Sequence, residues 1–492
     1  MPQSVAAPHS AAVPTARRAT ARRAVAIAVA LLATTAVTAA VPAAHAQSAP
    51  TREARQDFNG DGYADLAVAA PYATVGGKTK AGYVAVLYGS PKGLLAASRK
   101  VYTQASPGIP DTPEKNDMFG FRMSAADLDG DGFTDLLVES ADERWQQDGI
   151  ERGASRTILW GSRAGFVSGK VLPAEGTGLN QAPLTVAGDF NGDGHQDLAR
   201  SGRVMWGPFG RNGVPAAVQE GQTFTDNDEP MKIVVTVAVG DTDGDGADDI
   251  VTVGRASDGW DDEGTYGNYV YYARGGRDGL GTPVHLTKLD GPKADSVALG
   301  DLTGDGRADL VVDGRNAVRV VRAGKQGLAD TAPRVITQDT PGVPGVKEFG
   351  DEFGHDVAVG DVNGDGYGDI LAGVPEEDFG GLRNPGAFVV IPGGPTGPTG
   401  AGTKAFDQNS ADVPGVAETD DHFGTAVHLL DANGDGRTEP VVSAPWEDSR
   451  AGAVWVFRAT SAGATAKGSF VFGAGTLGTT ASGAQLGAAF SD

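Results

Sequence analysis

An all-β fold of seven repeated sheets closed into a ring is what this sequence predicts, and three observations carry it. Glycine is spread along the whole chain, 73 in 492 residues, beside ordinary Val, Leu and Ala, as tight turns between short strands require. After the N-terminus no 3.6-residue periodicity is sustained, whereas short apolar or alternating runs such as YVAVLYG, FVVIPG and AVWVFRA recur. Finally, one aspartate- and glycine-rich motif returns seven times, starting at Asp57, Asp127, Asp189, Asp241, Asp301, Asp361 and Asp431, with 70, 62, 52, 60, 60 and 70 residues between starts.

The first 46 residues stand apart. Arg17, Arg18, Arg22 and Arg23 precede an uncharged Ala- and Val-rich run from 24 to 41, and AHA at 44 to 46 offers small residues before Gln47. That order is the plan of a cleaved export signal over 1–46, with an uncleaved anchor as the alternative. The mature chain, 47–492, is then secreted, has no membrane span and is expected to be a monomer. It contains no cysteine, so disulfides cannot stabilise it; a large core, closed sheets or bound metal must. Its charge is near −27 once the four leader arginines are taken from −23. Such acidity disfavours nucleic acid and anionic membranes as partners.

Each motif places oxygen-bearing side chains at positions 1, 3, 5 and 9, with glycine at 4 and 6. Side chains at 1, 3 and 5 and a main-chain carbonyl at 7 can converge on one hard cation while glycine at 6 permits the sharp turn. The candidate ligands are Asp57, Asn59, Asp61, Tyr63 and Asp65 in the first loop, and Asp127, Asp129, Asp131, Phe133 and Asp135 in the second. The third offers Asp189, Asn191, Asp193, His195 and Asp197, and the fourth Asp241, Asp243, Asp245, Ala247 and Asp249. The fifth has Asp301, Thr303, Asp305, Arg307 and Asp309, and the sixth Asp361, Asn363, Asp365, Tyr367 and Asp369. Asp431, Asn433, Asp435, Arg437 and Glu439 complete the set. Residues at position 7 act through their carbonyls. Carboxylates so crowded repel one another, and an oxygen-only ligand set selects calcium, up to seven ions. Positions 1, 3, 5 and 9 of the loops hold 23 of the 63 acidic residues, so acidity here reflects metal binding.

Apolar strands flank every loop, as in HDVAVG before and DILAGVP after Asp361, which makes the loop a hairpin tip. Four short strands per unit of about 50–70 residues is the size of a propeller blade. Seven units give a seven-bladed β-propeller. Blade 1 begins almost at its loop, and QLGAAFSD at 485 to 492 matches the register of EFGHDVAVGD; the C-terminal strand is therefore expected to complete blade 1 and close the ring.

At this point the chain resembles the FG-GAP repeat family, the blades of the integrin α-chain propeller and its secreted bacterial relatives. The resemblance rests on Phe119–Gly120, Phe353–Gly354 and Phe423–Gly424, on the metal loops, and on AAP at 69 to 71, GVP at 373 to 375 and SAP at 443 to 445. Repeats starting at 189, 241 and 301 lack both FG and GAP and are similar to the degenerate members. The resemblance implies structural calcium on one rim and partner binding on the other face.

A single strand of about seven residues separates metal loops from variable loops, which must lie on opposite faces. Trp145, Trp260 and Trp446 fall in long variable loops among hydrogen-bonding groups, suiting either an unknown protein or glycan ligand or simple packing within the loop. The function expected is binding or adhesion. No nucleophile elbow, phosphate loop or zinc signature is present and no catalytic residue is assigned. The alternative is a propeller hydrolase acting on glycans or esters, with Asp262, Glu376 and Glu447 as the acids to watch.

Overall fold

The computed structural model describes residues 56–141, 145–147, 150–152, 155–173, 184–200, 202–221, 232–256, 268–291, 294–314 and 316–491. The expected leader, Trp260 and Asp262 lie outside the described residues, as does the side chain of Trp145. Seven four-stranded antiparallel sheets form the seven blades. Blade 6 shows the plan: an inner strand Val357–Gly360, then Asp369–Val374, Ala387–Ile391 and an outer strand Lys404–Asp407.

The gradient of composition across a blade follows from what each strand meets. Second strands are sandwiched between neighbouring blades, and Asp135–Ser140, Asp369–Val374 and Glu439–Ala444 are buried at every residue. This accounts for their continuous apolar runs in place of alternation. Outer strands such as Ala217–Glu220 and Lys404–Asp407 are half-buried to exposed and carry charge, which blunts a free sheet edge.

Seven apolar clusters fill the structure, one at each interface between adjacent blades. Between blades 6 and 7, Phe388, Phe423, Trp455 and Phe457 pack edge to face, with Phe423 and Trp455 ring centroids 5.0 Å apart. Truncating one such phenylalanine costs about 3–5 kcal/mol. Between blades 7 and 1, Leu66 and Val68 meet Val441, Val454, Phe472, Leu486 and Phe490.

That last interface is where the ring closes. Ala489–Phe490 runs antiparallel to Leu66–Ala70, with Val68 opposite Phe490 and Ala69 opposite Ala489. Ser491 Oγ donates to Gln56 Oε1 at 2.6 Å, and Gln56 Nε2 donates back to the Ser491 carbonyl at 3.0 Å. The Phe490 ring stacks on His428 of blade 7's inner strand Val427–Leu430, centroids 5.9 Å apart. Leu486–Gly487 takes the place that Phe–Gly takes elsewhere. A Cβ on Gly452 would strike the Leu486 backbone as one on Gly386 would strike Phe423, or one on Gly82 Phe119. The expected closure is observed, in the expected register.

Aspartate loops join inner to second strands, and variable loops join second to third strands, so the two kinds occupy opposite faces. In blades 3 and 5 the variable loop is a tight turn, with Arg200 paired to Arg203 and Gly314 to Ala317. Blade 2 instead carries an added hairpin, Trp145–Gln147 against Ile150–Arg152. Among the described residues no helix is long and apolar enough to cross a membrane.

Candidate functional site

The seven aspartate loops share one backbone scaffold. The position 1 carboxylate accepts the N–H of position 5 through one oxygen and the N–H of Gly at position 6 through the other. In loop 6 these are Asp365 N at 3.2 Å and Gly366 N at 2.8 Å from Asp361. The same pair recurs in the loops starting at Asp57, Asp127, Asp189, Asp241, Asp301 and Asp431. The position 5 carboxylate in turn accepts the N–H of position 7, at 3.1 Å from Tyr63, Phe133, Tyr367 and Arg437, 2.9 Å from His195, 3.0 Å from Ala247 and 3.2 Å from Arg307. Short acidic side chains thus wind the backbone into a turn.

Position 9 does a further job that its spacing alone does not reveal. Asp369 is buried; one oxygen accepts Val362 N at 3.1 Å and the other Gly393 N at 2.9 Å, at the end of the third strand. Asp65, Asp135, Asp197 and Asp249 repeat this double tie, to Phe58 and Gly89, Leu128 and Gly161, Phe190 and Gly207, and Thr242 and Gly275. Burial, then neighbouring loop carboxylates, push these acids up: Asp65 and Asp135 to about 8, Asp197 and Asp369 to about 7. Backbone N–H groups pull the other way.

Two observations, in the loops starting at Asp127, Asp241, Asp301 and Asp361, bear on whether the residues suit a hard cation. Carboxylate oxygens of Asp127, Asp129 and Asp135, and of Asp241, Asp243 and Asp249, lie within 4.8 Å of one another, bringing positions 1, 3 and 9 together. Asn363 Oδ1, Thr303 Oγ1 and Asp309 Oδ2 are buried and meet no hydrogen-bond donor among the described residues. Two of those orphans are at position 3 and one at position 9, the positions that converge. All are oxygens, and a divalent cation would satisfy them.

Two arginines enter this geometry unannounced. Arg211 Nε lies 2.8 Å from Asp129, and its other nitrogen pairs with Asp131. Arg274 pairs likewise with Asp243 and, at 3.0 Å, with Asp245. These are the two loops with Asp at position 3, hence four carboxylates instead of three, and each receives a guanidinium across positions 3 and 5. Arg211 comes from blade 3 to the loop of blade 2, whereas Arg274 comes from its own blade 4, so no common spacing marks them in the sequence.

The loops are also linked to one another. A Cβ built on Gly60, at position 4, would stand 2.5 Å from the ring of Phe133, position 7 of the next loop. His195 covers Gly130, Ala247 covers Gly192, Arg307 covers Gly244, Tyr367 covers Gly304, Arg437 covers Gly364, and Tyr63 covers Gly434 to complete the circuit. At five of the seven junctions the position 8 N–H also donates to the position 1 carbonyl of the preceding loop, as Thr134 does to Asp57 at 3.0 Å.

The opposite face holds the remaining expected residues. Trp446 is 40% exposed, with the Arg450 guanidinium 5.0 Å from its ring centroid and His422 edge-on at 4.2 Å. Glu376 pairs with His422 at 2.9 Å, and Glu447 accepts from Gln408 at 2.8 Å. Exposed apolar side chains accompany them: Val346, Val416 and Phe349, the last 97% exposed. Phe353 and Phe423, in contrast, are core.

A closed seven-bladed propeller with an aspartate hairpin on every blade defines the class of protein. The chain carries FG-GAP repeats: the FG-GAP repeat model matches residues 55–87, 353–391 and 423–457, and the FG-GAP-like repeat model matches 241–312. It is 26% identical over 176 residues to phosphatidylinositol-glycan-specific phospholipase D of Bos taurus, covering 35% of this chain and 21% of that protein. It is 32% identical over 178 residues to integrin alpha pat-2 of Caenorhabditis elegans, covering 33% and 14%, and 31% identical over 122 residues to integrin alpha-4 of Xenopus laevis, covering 25% and 11%. The chain spans about a fifth or less of the length of these relatives.

Proposed function

We propose that this chain is a secreted, calcium-stabilised propeller that serves as a binding or adhesion module for a protein or glycan ligand. The observation that carries this reading is the division of the two faces. All seven aspartate loops lie on one rim and are locked into a circuit by their own side chains. The variable loops are left to the other face, where Trp446, Phe349, Val346 and Val416 are exposed beside charged groups. Exposed aromatic and apolar groups amid hydrogen-bonding side chains suit recognition of a ligand surface. The relatives support the same direction, since the repeats are shared with integrin α-chains.

Calcium would be held by positions 1, 3, 5 and 9 with the position 7 carbonyl, and would neutralise carboxylates that otherwise repel. Export is supported by the Arg-then-Ala/Val order of residues 1–46; N-terminal sequencing of the protein from culture medium should begin at Gln47. A glycan and protein array probed with the full chain in calcium is the direct test. Binding that is lost on Trp446→Ala, with the fold intact, is expected; a ligand indifferent to every substitution on this face would place recognition elsewhere.

A further inference from the structure

A second set of residues recurs in this chain, and the hairpin loops make no use of it. Gln104, Gln338 and Gln408 each stand ten residues before a glutamate, Glu114, Glu348 and Glu418, and thirteen before an aspartate, Asp117, Asp351 and Asp421. These segments carry the chain from the outer strand of one blade to the inner strand of the next, on the face away from the hairpin loops. Every one of the glutamines and aspartates is buried, which is unusual for side chains of such polarity.

In two copies the end of a neighbouring second strand adds a glutamate. Gln338 Nε2 donates to Glu377 Oε2 at 2.6 Å, and Gln408 Nε2 donates to Glu447 Oε2 at 2.8 Å. Asp351 Oδ2 accepts Glu348 N at 2.7 Å, and Asp421 Oδ2 accepts Glu418 N at 2.6 Å. One oxygen of each acid is therefore anchored, and its twin receives no hydrogen bond among the described residues. The aspartates are near enough for their charge to act on Glu377 and Glu447.

The decisive atoms are the amide oxygens. Gln338 is 6% exposed and Gln408 1%, and the Oε1 of each is buried with no donor among the described residues. A buried acceptor left without a partner costs about 1–3 kcal/mol. Meeting that cost twice, at equivalent positions and beside two carboxylates, is explained by a cation that the three oxygens share. An amide oxygen with carboxylates is the ligand chemistry of a hard divalent ion.

We propose that Gln338, Asp351 and Glu377, and separately Gln408, Asp421 and Glu447, form two further calcium sites on the face opposite the hairpin loops. They stand independently of whether the hairpin loops bind metal. The second site adjoins Trp446 and so puts a cation within the surface proposed for ligand recognition. In the third copy, Gln104 hydrogen-bonds Asp117, and the strand end that would complete it lies outside the described residues.

The test counts calcium bound to the full chain by equilibrium dialysis. Wild type is compared with the quadruple variant Gln338→Ala, Glu377→Gln, Gln408→Ala, Glu447→Gln, and with the hairpin variant Asp361→Asn, Asp431→Asn. The quadruple variant should lose two ions relative to wild type. If it alone loses ions, these sites stand and the hairpin reading falls; if only the hairpin variant loses ions, the reverse holds. Should the quadruple variant fail to fold, terbium soaked into wild-type crystals decides: anomalous peaks beside Gln338 Oε1 and Gln408 Oε1 support the sites, and their absence overturns them.

Discussion

The carboxylate of Asp356, on the chain entering blade 6, accepts the backbone N–H of Val427 in blade 7 at 2.8 Å. Its other oxygen accepts Ser296 Oγ of blade 5 at 2.7 Å and its neighbour Val357 N at 3.1 Å. One side chain therefore ties three consecutive blades at their inner strands. Burial pushes this carboxyl up, and the Ser296 and Val427 donors pull it down.

Replacing Asp356 by Ala should leave the Ser296 O–H and the Val427 N–H without their acceptor. At about 1–3 kcal/mol for each buried group left unpaired, the variant should lose several kcal/mol in urea unfolding. A loss under about 0.5 kcal/mol, the range of a neutral surface change, would show that the tie is idle.

Ring closure depends on few residues and is correspondingly easy to break. Leu486 is fully buried between blades 7 and 1, and Phe490 nearly so. Leu486→Ala should cost about 2–5 kcal/mol through the cavity it leaves, and removal of 485–492 should cost more because it also frees the Leu66–Ala70 edge. Thermal unfolding of both variants measures this. A truncated chain that melts with wild type would refute closure as a source of stability.

Much of this architecture could be read from residues that repeat. Seven aspartate loops at blade spacing announced seven sheets, and QLGAAFSD announced the closing strand because its register matched EFGHDVAVGD. Leu486 standing where Phe stands elsewhere did not hide it, since Gly487 keeps the close approach to Ser443 and Val454. What stayed hidden depends on partners distant in sequence. Arg211 and Arg274 reach loops through different blade relations, the position 9 ties end on third-strand N–H groups, and Gln338 and Gln408 gain meaning only beside Glu377 and Glu447. Each is a contact made by tertiary packing, with no local pattern to betray it.

Asn363 separates metal-dependent from metal-independent stability. Its buried Oδ1 meets no protein donor among the described residues, so Asn363→Ala should change little in chelator. In calcium it should lower stability, because a native-only site at one hundred times its Kd contributes about 2.7 kcal/mol. Melting wild type and variant with and without calcium tests both halves. Equal melting temperatures of wild type in the two conditions would remove calcium from the account of stability.

The circuit of loops makes its own claim on glycine. Gly304 has φ +70°, and a Cβ there would stand 2.9 Å from Tyr367 Cε1; Gly366 has φ +86° and open space around it. Gly366→Ala should therefore cost only backbone strain, about 1–2 kcal/mol, whereas Gly304→Ala should cost more. Combining Gly304→Ala with Tyr367→Ala should recover the excess. A double-mutant cycle showing strict additivity would mean that adjacent loops do not lean on each other.

In chelator, pH should act on this fold in an unusual direction. Asp65 and Asp135 rise to about 8, Asp197, Asp369 and Glu439 to about 7 and Asp309 to about 6, burial being the first cause in each. Unfolded carboxyls titrate near 4, so between about pH 4 and 8 the folded chain binds more protons than the unfolded one. Linkage then makes stability fall as pH rises through that window. His428, buried and lowered to about 4, opposes this, since its contribution is lost as pH falls below 6.5, but it is one group against six. The metal-free midpoint in urea should therefore increase from pH 8 to pH 5.5. Calcium favours the ionised loops, so it should flatten or invert the slope. A metal-free midpoint that climbs with pH would mean that these carboxylates ionise more readily in the folded loops than their burial implies.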